Sequence, residues 1–167
     1  MTLQARTKCY CNVLAIQKGL DPAGSAHDFD DAIIVEIPLP WKRNIYQQAG
    51  ALPQEAVDLL QLWLKRYHEG IPYRHGALMI APDHQYSRRG FRRVMYFERP
   101  KGAFARFEKI EYLVPEAQLG ALIWSLFEAK ENLPRFEPFR AAEHDTTRDV
   151  LVCTHGTVDA ACAKFGY

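Results

Sequence analysis

The chain has 167 residues and a mass of 19.2 kDa, with 48% hydrophobic residues, 25% charged residues and a formal net charge of +1. A chain of this length forms one domain, or one domain with part of another, and needs no disulfide or metal to build a core. The composition excludes intrinsic disorder, collagen and a disulfide-rich mini-protein, and the near-zero charge gives no general attraction to nucleic acid or to an anionic membrane.

The sequence predicts a cytoplasmic or stromal protein with no membrane partner. No apolar run is long enough to span a bilayer, and residues 1–24 lack the sustained apolar segment of a signal peptide. In a reducing compartment cysteines are thiols or metal ligands rather than structural disulfides. We therefore expect one of those two states for the four cysteines of this chain, which are Cys9, Cys11, Cys153 and Cys162.

The first elements along the chain are a buried strand and an amphipathic helix. Residues 31–37 (DAIIVEI) predict the strand, with Pro38 following it. Residues 53–69 predict the helix, because Pro53 suits its first position and Gly70 suits the position after its end. The buried face of this helix is predicted from apolar residues at helical spacing, namely Leu60, Trp63, Leu64 and Tyr67.

A second strand, a hairpin and a second helix follow. Residues 76–82 predict a buried strand, and residues 91–99 and 103–114 alternate polar and apolar side chains around a Pro-Lys-Gly turn, which is typical of a β-hairpin. Residues 115–133 predict a helix that Pro134 ends. Its inner face is predicted from Leu119, Leu122, Ile123 and Leu126.

The order of these elements predicts an α/β (α+β) sandwich with a mixed sheet, compatible with a thioredoxin-like arrangement. Residues 1–133 are expected to form this N-terminal domain, and residues 134–148 a linker. Residues 149–167 predict a strand, a turn and a helical start, which read as the beginning of a second unit of similar style. We therefore expect the chain to be a fragment of a longer protein.

Cys153 and Cys162 are the strongest candidates for chemistry. A predicted strand leads to Cys153, the turn THGTVD follows, and Cys162 lies at the start of a helix, where the pKa of a thiol is lowered. Such a loop can bring two thiolates to one metal ion. The alternative, which spacing alone leaves equally open, is two buried cysteines that pack as small hydrophobic side chains.

Two other cysteine chemistries are disfavoured. A cysteine phosphatase loop needs an arginine where this chain has Asp159, and a carboxylate there would repel a phosphate. A thioredoxin-type dithiol is disfavoured because the chain has no Cys-x-x-Cys.

Cys9 and Cys11 would share one face of an extended strand. They are interpreted as core thiols, with a redox or metal pair as the alternative.

Residues 88–106 concentrate basic side chains among aromatic ones. The basic residues are Arg88, Arg89, Arg92, Arg93, Arg99, Lys101 and Arg106. The preferred interpretation is a hairpin with a solvated basic face, and we do not expect nucleic acid as a partner. The alternative is that this basic face binds an acidic protein partner.

Among the scattered histidines, only His155 lies close to a candidate cysteine.

Two stretches of this chain resemble the sucrase/ferredoxin-like family. The segment DVLVCTHGTVDAACAKFG resembles the family's signature at Val152–Gly156, Asp159, Cys162 and Gly166. The N-terminal stretch is similar at Cys11, Gly24-Ser25-Ala26, Ile33–Glu36 and Pro40-Trp41. The family is known for a thioredoxin-like [2Fe-2S] ferredoxin domain.

The resemblance implies electron transfer through a [2Fe-2S] cluster rather than catalysis, with an unidentified redox partner protein. Cys153 and Cys162 match the two cysteine ligands of the family, whose two histidine ligands belong to a downstream element. A cluster needs four ligand positions, so we expect it in a complete protein and not in these residues alone. A four-thiolate site that adds Cys9 and Cys11 is an alternative. A cluster with histidine ligands would have a higher potential than an all-cysteine one.

Overall fold

The computed structural model describes residues 15–20, 28–103, 106–141 and 150–151. Residues His27–His144 belong to one compact unit. Its strands are β1 (Asp31–Glu36), β2 (His75–Ile80), β3 (Phe91–Glu98) and β4 (Glu108–Pro115), and its α-helices are α1 (Gln54–His68) and α2 (Leu119–Phe127). Short 3-10 helices cover Ile45–Gln47 and Glu116–Gln118, and a longer one covers Lys130–Phe139. The α/β class predicted from the order of elements is confirmed.

The strands form one mixed sheet in the order β2-β1-β3-β4. β1 and β2 are parallel, as expected for two strands joined through a helix, and Ile33 lies opposite Ala77 in their register. β3 is antiparallel to both β1 and β4. The predicted hairpin is confirmed, since Phe91 pairs with Pro115 and Glu98 with Glu108. In the described part of the chain, no helix combines the length and apolar character that a membrane crossing requires.

The core lies between one face of the sheet and the two α-helices. Val94 and Val114 are fully buried on this face, and all four residues predicted for the inner face of the second helix are buried. Burial of aliphatic side chains in such a layer contributes about 1.5–3 kcal/mol for each side chain. The apolar contact between sheet and helices therefore stabilises this unit and holds the strand ends in place.

The buried face of α1 differs from the prediction. Ala56, Leu59 and Trp63 are its buried residues, whereas the side chains of Leu64 and Tyr67 are each 58% exposed. The helix carries apolar residues over more than half of its circumference, and the sheet can contact only part of them. The prediction of the buried face was therefore correct for Trp63 and wrong for Leu64 and Tyr67.

The chain beyond α2 also differs from the prediction. The second α-helix ends at Phe127, and residues Lys130–Phe139, partly expected to be linker, form a 3-10 helix. Within it, Phe136 is only 1% exposed and belongs to the core, and Arg140 makes a β-bridge with Tyr112 of β4. The two prolines of this segment remove backbone donors, which disfavours an α-helix but leaves the side chains free to pack.

The predicted second unit lies almost wholly outside the described residues. Only Val150 and Leu151 of the predicted strand 149–153 are described, and both are exposed and outside any strand. The strand is therefore wrong at these two positions. The turn and the helical start over residues 154–167 remain predictions.

A bidentate ion pair between Arg66 and Glu128 and a close contact at Gly120 join the two α-helices. The guanidinium of Arg66 donates to both carboxylate oxygens of Glu128, with N–O distances of 2.5 and 2.7 Å. A Cβ at Gly120 would lie only 2.9 Å from the Cβ of Pro53. A side chain at Gly120 would thus push the start of α2 away from the start of α1.

Replacing Glu128 with glutamine is expected to lower the free energy of unfolding by about 1–2 kcal/mol, because a partly buried, bidentate pair is lost and Arg66 keeps its charge. Urea denaturation measures the change. The matched control is Glu69→Gln, which removes an exposed contact to Lys65 at 3.9 Å at the end of α1 and should cost less than about 0.5 kcal/mol. Equal losses in both variants would contradict this role of Glu128.

Candidate functional site

The cysteines that the sequence singled out lie outside the described residues. Cys153 and Cys162, predicted as metal ligands, lie in the segment 152–167, and Cys9 and Cys11 lie in the segment 1–14. Within the described ranges, no group of three or more His, Cys, Asp and Glu side chains is arranged to hold a metal ion. The assignment of these cysteines to a cluster therefore rests on their sequence context.

The basic segment 88–106 does not present one continuous basic face. Arg92 pairs with Glu116 at 2.9 Å, and Arg93 forms an ion pair with Glu111. Arg99 contacts Asp28, which precedes the neighbouring strand β1. The other basic residues lie at opposite ends of β3, whose 8 residues span about 26 Å: Arg88 and Arg89 precede the strand, and Lys101 and Arg106 follow it.

A cluster of titratable and aromatic side chains lies where β1 and β2 begin. Nδ1 of His75 lies 2.7 Å from Oδ1 of Asp31, and an ionised carboxylate can only accept, so Nδ1–H is the donor. The imidazole stacks on the indole of Trp63, with ring centroids 4.6 Å apart. The phenyl ring of Phe127 closes the cluster, edge-on to both rings. The carboxylate fixes the tautomer of His75, in which Nε2 carries no proton and can accept a hydrogen bond.

Burial dominates the electrostatics of this cluster. It raises the pKa of Asp31 above the ordinary value of 3.8, although the contact with His75 and the charge of Lys130 act in the opposite direction. It also raises the pKa of Tyr96 strongly, and the negative charges of Asp31 and Glu98 add to that effect. Tyr96 therefore stays a neutral phenol at physiological pH. In the described part of the chain, the buried Nε1 of Trp63 has no hydrogen-bond partner.

The raised pKa of Asp31 predicts a dependence of stability on pH. The folded protein holds this proton more tightly than the unfolded chain, so Asp31 stabilises the fold fully below the ordinary pKa of 3.8, and that contribution is lost as the pH rises through the raised pKa. We expect the free energy of unfolding of the unmodified protein, minus that of Asp31→Asn, to fall across this window. Urea denaturation at a series of pH values measures it. A difference that rises with pH would contradict the effect of burial.

A second polar contact lies at the opposite end of β1. The carboxylate of Glu36 is buried and accepts a hydrogen bond of 2.8 Å from the hydroxyl of Ser87. The same hydroxyl accepts a bond from the backbone N–H of Asp83, which ties the loop after β2 to β1. Among the described residues, Oε1 of Glu36 has no hydrogen-bond partner. This contact orders the loop.

Sequence reasoning missed the pair of Asp31 and His75. The two residues are 44 positions apart, and neither belongs to a motif. The usable signal was topological: each is the first residue of a strand, and a parallel β-α-β unit places the starts of its two strands side by side. The arrangement offers an imidazole that a neighbouring carboxylate holds in one orientation.

The comparisons with known proteins give no assignment. The chain matches no protein-family model, and neither curated proteins nor solved structures gave a significant match. The resemblance to the sucrase/ferredoxin-like family therefore rests on the motif residues alone.

Proposed function

We propose that this chain is the N-terminal portion of an electron-transfer protein of the thioredoxin-like [2Fe-2S] ferredoxin type. In this proposal residues 31–141 form a thioredoxin-like domain, and Cys153 and Cys162 are two of the cluster's ligands in a complete protein. The single observation that carries the fold part of the proposal is the strand order β2-β1-β3-β4.

That order supports a thioredoxin-like fold for a topological reason. A parallel β1-α1-β2 unit is followed by an antiparallel β3-β4 pair that adds to the other side of β1, and a helix follows β4. The strand order and the strand directions match the core sheet of a thioredoxin-like domain, whereas residues 81–90 connect β2 to β3 without the helix that such a domain has at this point. β1 lies inside the sheet with a neighbour on each side, so the apolar run Ile33–Val35 is buried on both faces.

The redox part of the proposal is supported by the sequence around Cys153 and Cys162. Thiolates are the ligands that iron–sulfur clusters bind, and the sequence places two cysteines close together, with eight residues between them. When bound, a [2Fe-2S] cluster supplies one-electron transfer. The chain's own contribution is the pair of thiolates, while the ligands needed to complete the site are expected downstream of these residues.

The runner-up is a non-redox module that docks an acidic protein through the segment 88–106. The described ion pairs weaken this alternative, because Arg92, Arg93 and Arg99 already have carboxylate partners. The remaining basic side chains are divided between the two ends of β3. The alternative still makes a distinct prediction, since such a module needs no iron.

Colour and magnetic resonance separate the two functions. The protein is isolated anaerobically as expressed from its natural gene, and its visible absorption is recorded before and after reduction with dithionite. The proposal predicts charge-transfer absorption that bleaches on reduction and an electron paramagnetic resonance signal from the reduced form. A colourless, resonance-silent protein that binds an acidic partner with strong salt dependence would support the docking module instead.

A further inference from the structure

A half-open cavity of about 50 Å³ lies between α1 and the parallel strands β1 and β2. Ile33 of β1 and Leu59 of α1 line it and are buried, whereas Tyr46, which also lines it, is 45% exposed. The cavity therefore extends from the core towards the solvent, with Tyr46 at its open side. It lies wholly within the compact unit His27–His144.

Small side chains on two facing walls account for this space. Ala56 of α1 and Ala77 of β2 both line the cavity, and each contributes a single methyl group. Protein interiors are close-packed, and the atoms around an unfilled space lose the contacts that they would otherwise make. A ligand that fills the cavity restores those contacts without any movement of the helix against the sheet.

The walls of the cavity favour an apolar and uncharged ligand. All the described residues that line it are hydrophobic, and Tyr46 and Trp63 carry the only side-chain oxygen and nitrogen atoms among them. Burial raises the pKa of the Tyr46 phenol above its ordinary value of 10.0, so this group is also neutral at physiological pH. A charged group would find no ionic partner in the described walls, and its transfer from water would be unfavourable.

The volume of the cavity limits the size of the group that it can hold. One water-sized group occupies about 10–15 Å³ of such a space. The volume of about 50 Å³ therefore accommodates about four groups of the size of a methylene. A longer molecule would leave its remaining atoms at the open side, next to Tyr46.

We propose that this cavity is a binding site for the aliphatic end, about four carbons long, of a small uncharged molecule. The buried residues of α1 and β1 contact the aliphatic chain, and the polar end of the molecule stays at the open side in contact with water. Concave sites with predominantly apolar walls are the usual form of small-molecule sites in proteins. The ligand is defined by its length and its lack of charge, and these two properties can be varied separately.

Straight-chain alcohols from propanol to heptanol test the length of the ligand. The 167-residue chain is titrated with each alcohol at concentrations that leave its circular dichroism spectrum unchanged, and the methyl NMR signals of Ile33, Val35 and Leu59 report binding. We expect the affinity to rise about fourfold for each added methylene up to pentanol. It should level off from hexanol onwards, because the additional carbons lie outside the cavity.

Pentanol and pentanoate, compared at neutral pH, test the charge of the ligand. They have the same number of carbons, and the carboxylate has no ionic partner among the described residues of the walls. We expect pentanol to bind at least tenfold more tightly. Equal affinities would contradict the preference for an uncharged molecule.

Two substitutions that narrow the cavity from facing walls test its location. Ala77→Val and Ala56→Val each add two methyl-sized groups, about half of the available space, and each is expected to weaken pentanol binding at least tenfold. The matched control is Ala81→Val, because Ala81 is exposed directly after β2. That variant should bind pentanol normally, and circular dichroism confirms that all three variants are folded.

The proposal is overturned if no alcohol of the series shifts the methyl signals of the cavity walls. It is also overturned if the affinity rises through heptanol without levelling off, because the alcohols then bind an open surface. Unchanged pentanol binding by the folded Ala77→Val and Ala56→Val variants would overturn it as well. Bound iron plays no part in these measurements, so their outcome is independent of the electron-transfer proposal.

Discussion

Replacing Phe136 with alanine is expected to lower the free energy of unfolding by about 3–5 kcal/mol. The phenyl ring is 1% exposed and packs in the core formed by the sheet and the helices. Removing it leaves a cavity that the prolines at 134 and 138 hinder from collapsing, since they stiffen the backbone on both sides. Urea denaturation followed by circular dichroism measures the loss.

The control for Phe136→Ala is Glu131→Ala, because Glu131 is exposed in the same 3-10 helix. That variant should differ from the unmodified protein by less than about 0.5 kcal/mol. If residues 134–148 were a linker throughout, both substitutions would be equally harmless. A loss below about 1 kcal/mol for Phe136→Ala would therefore contradict the packing of this segment in the core.

Replacing Trp63 with alanine is expected to cost about 3–5 kcal/mol as well. The indole is 3% exposed, stacks on His75 and contacts the rings of Tyr73 and Phe127. Trp63→Phe should cost less than Trp63→Ala, because phenylalanine keeps much of the apolar volume and removes the buried N–H that has no partner among the described residues. Chemical denaturation of dilute protein gives both values.

The matched control for Trp63 is Leu64→Ala on the same helix. Leu64 is 58% exposed, so its truncation should cost less than about 1 kcal/mol. The contrast between neighbouring positions tests which residues of α1 contact the sheet. Equal losses at positions 63 and 64 would show that α1 is rotated from the orientation described above.

The local elements of this fold were predictable, and the side-chain pairing between them was not. Alternating and helical patterns predicted every strand of the described sheet and both α-helices, because burial of one face imposes a period on the sequence. The patterns wrongly predicted that Leu64 and Tyr67 are buried, because the sheet does not cover this part of the apolar surface of α1. They also failed to predict the burial of Phe136, since a single aromatic residue between two prolines forms no periodic pattern.

The side-chain contacts of the candidate site were likewise not predictable from local sequence patterns. The contact between Asp31 and His75 depends on which strands are neighbours, and the ion pairs of Arg92 and Arg93 depend on the register of β3 with β4. Neither is encoded by a local spacing. Cys153 and Cys162, in contrast, were chosen for their local context, and their place in the fold remains a prediction.

The central claim is that Cys153 and Cys162 bind the iron of a [2Fe-2S] cluster. The most direct test is the iron and acid-labile sulfide content of the anaerobically isolated natural gene product and of its four single cysteine-to-serine variants. We expect iron and sulfide in the unmodified protein, their loss in Cys153→Ser and Cys162→Ser, and their retention in Cys9→Ser and Cys11→Ser. An unmodified protein without iron, or iron that survives in both Cys153→Ser and Cys162→Ser, would contradict the claim.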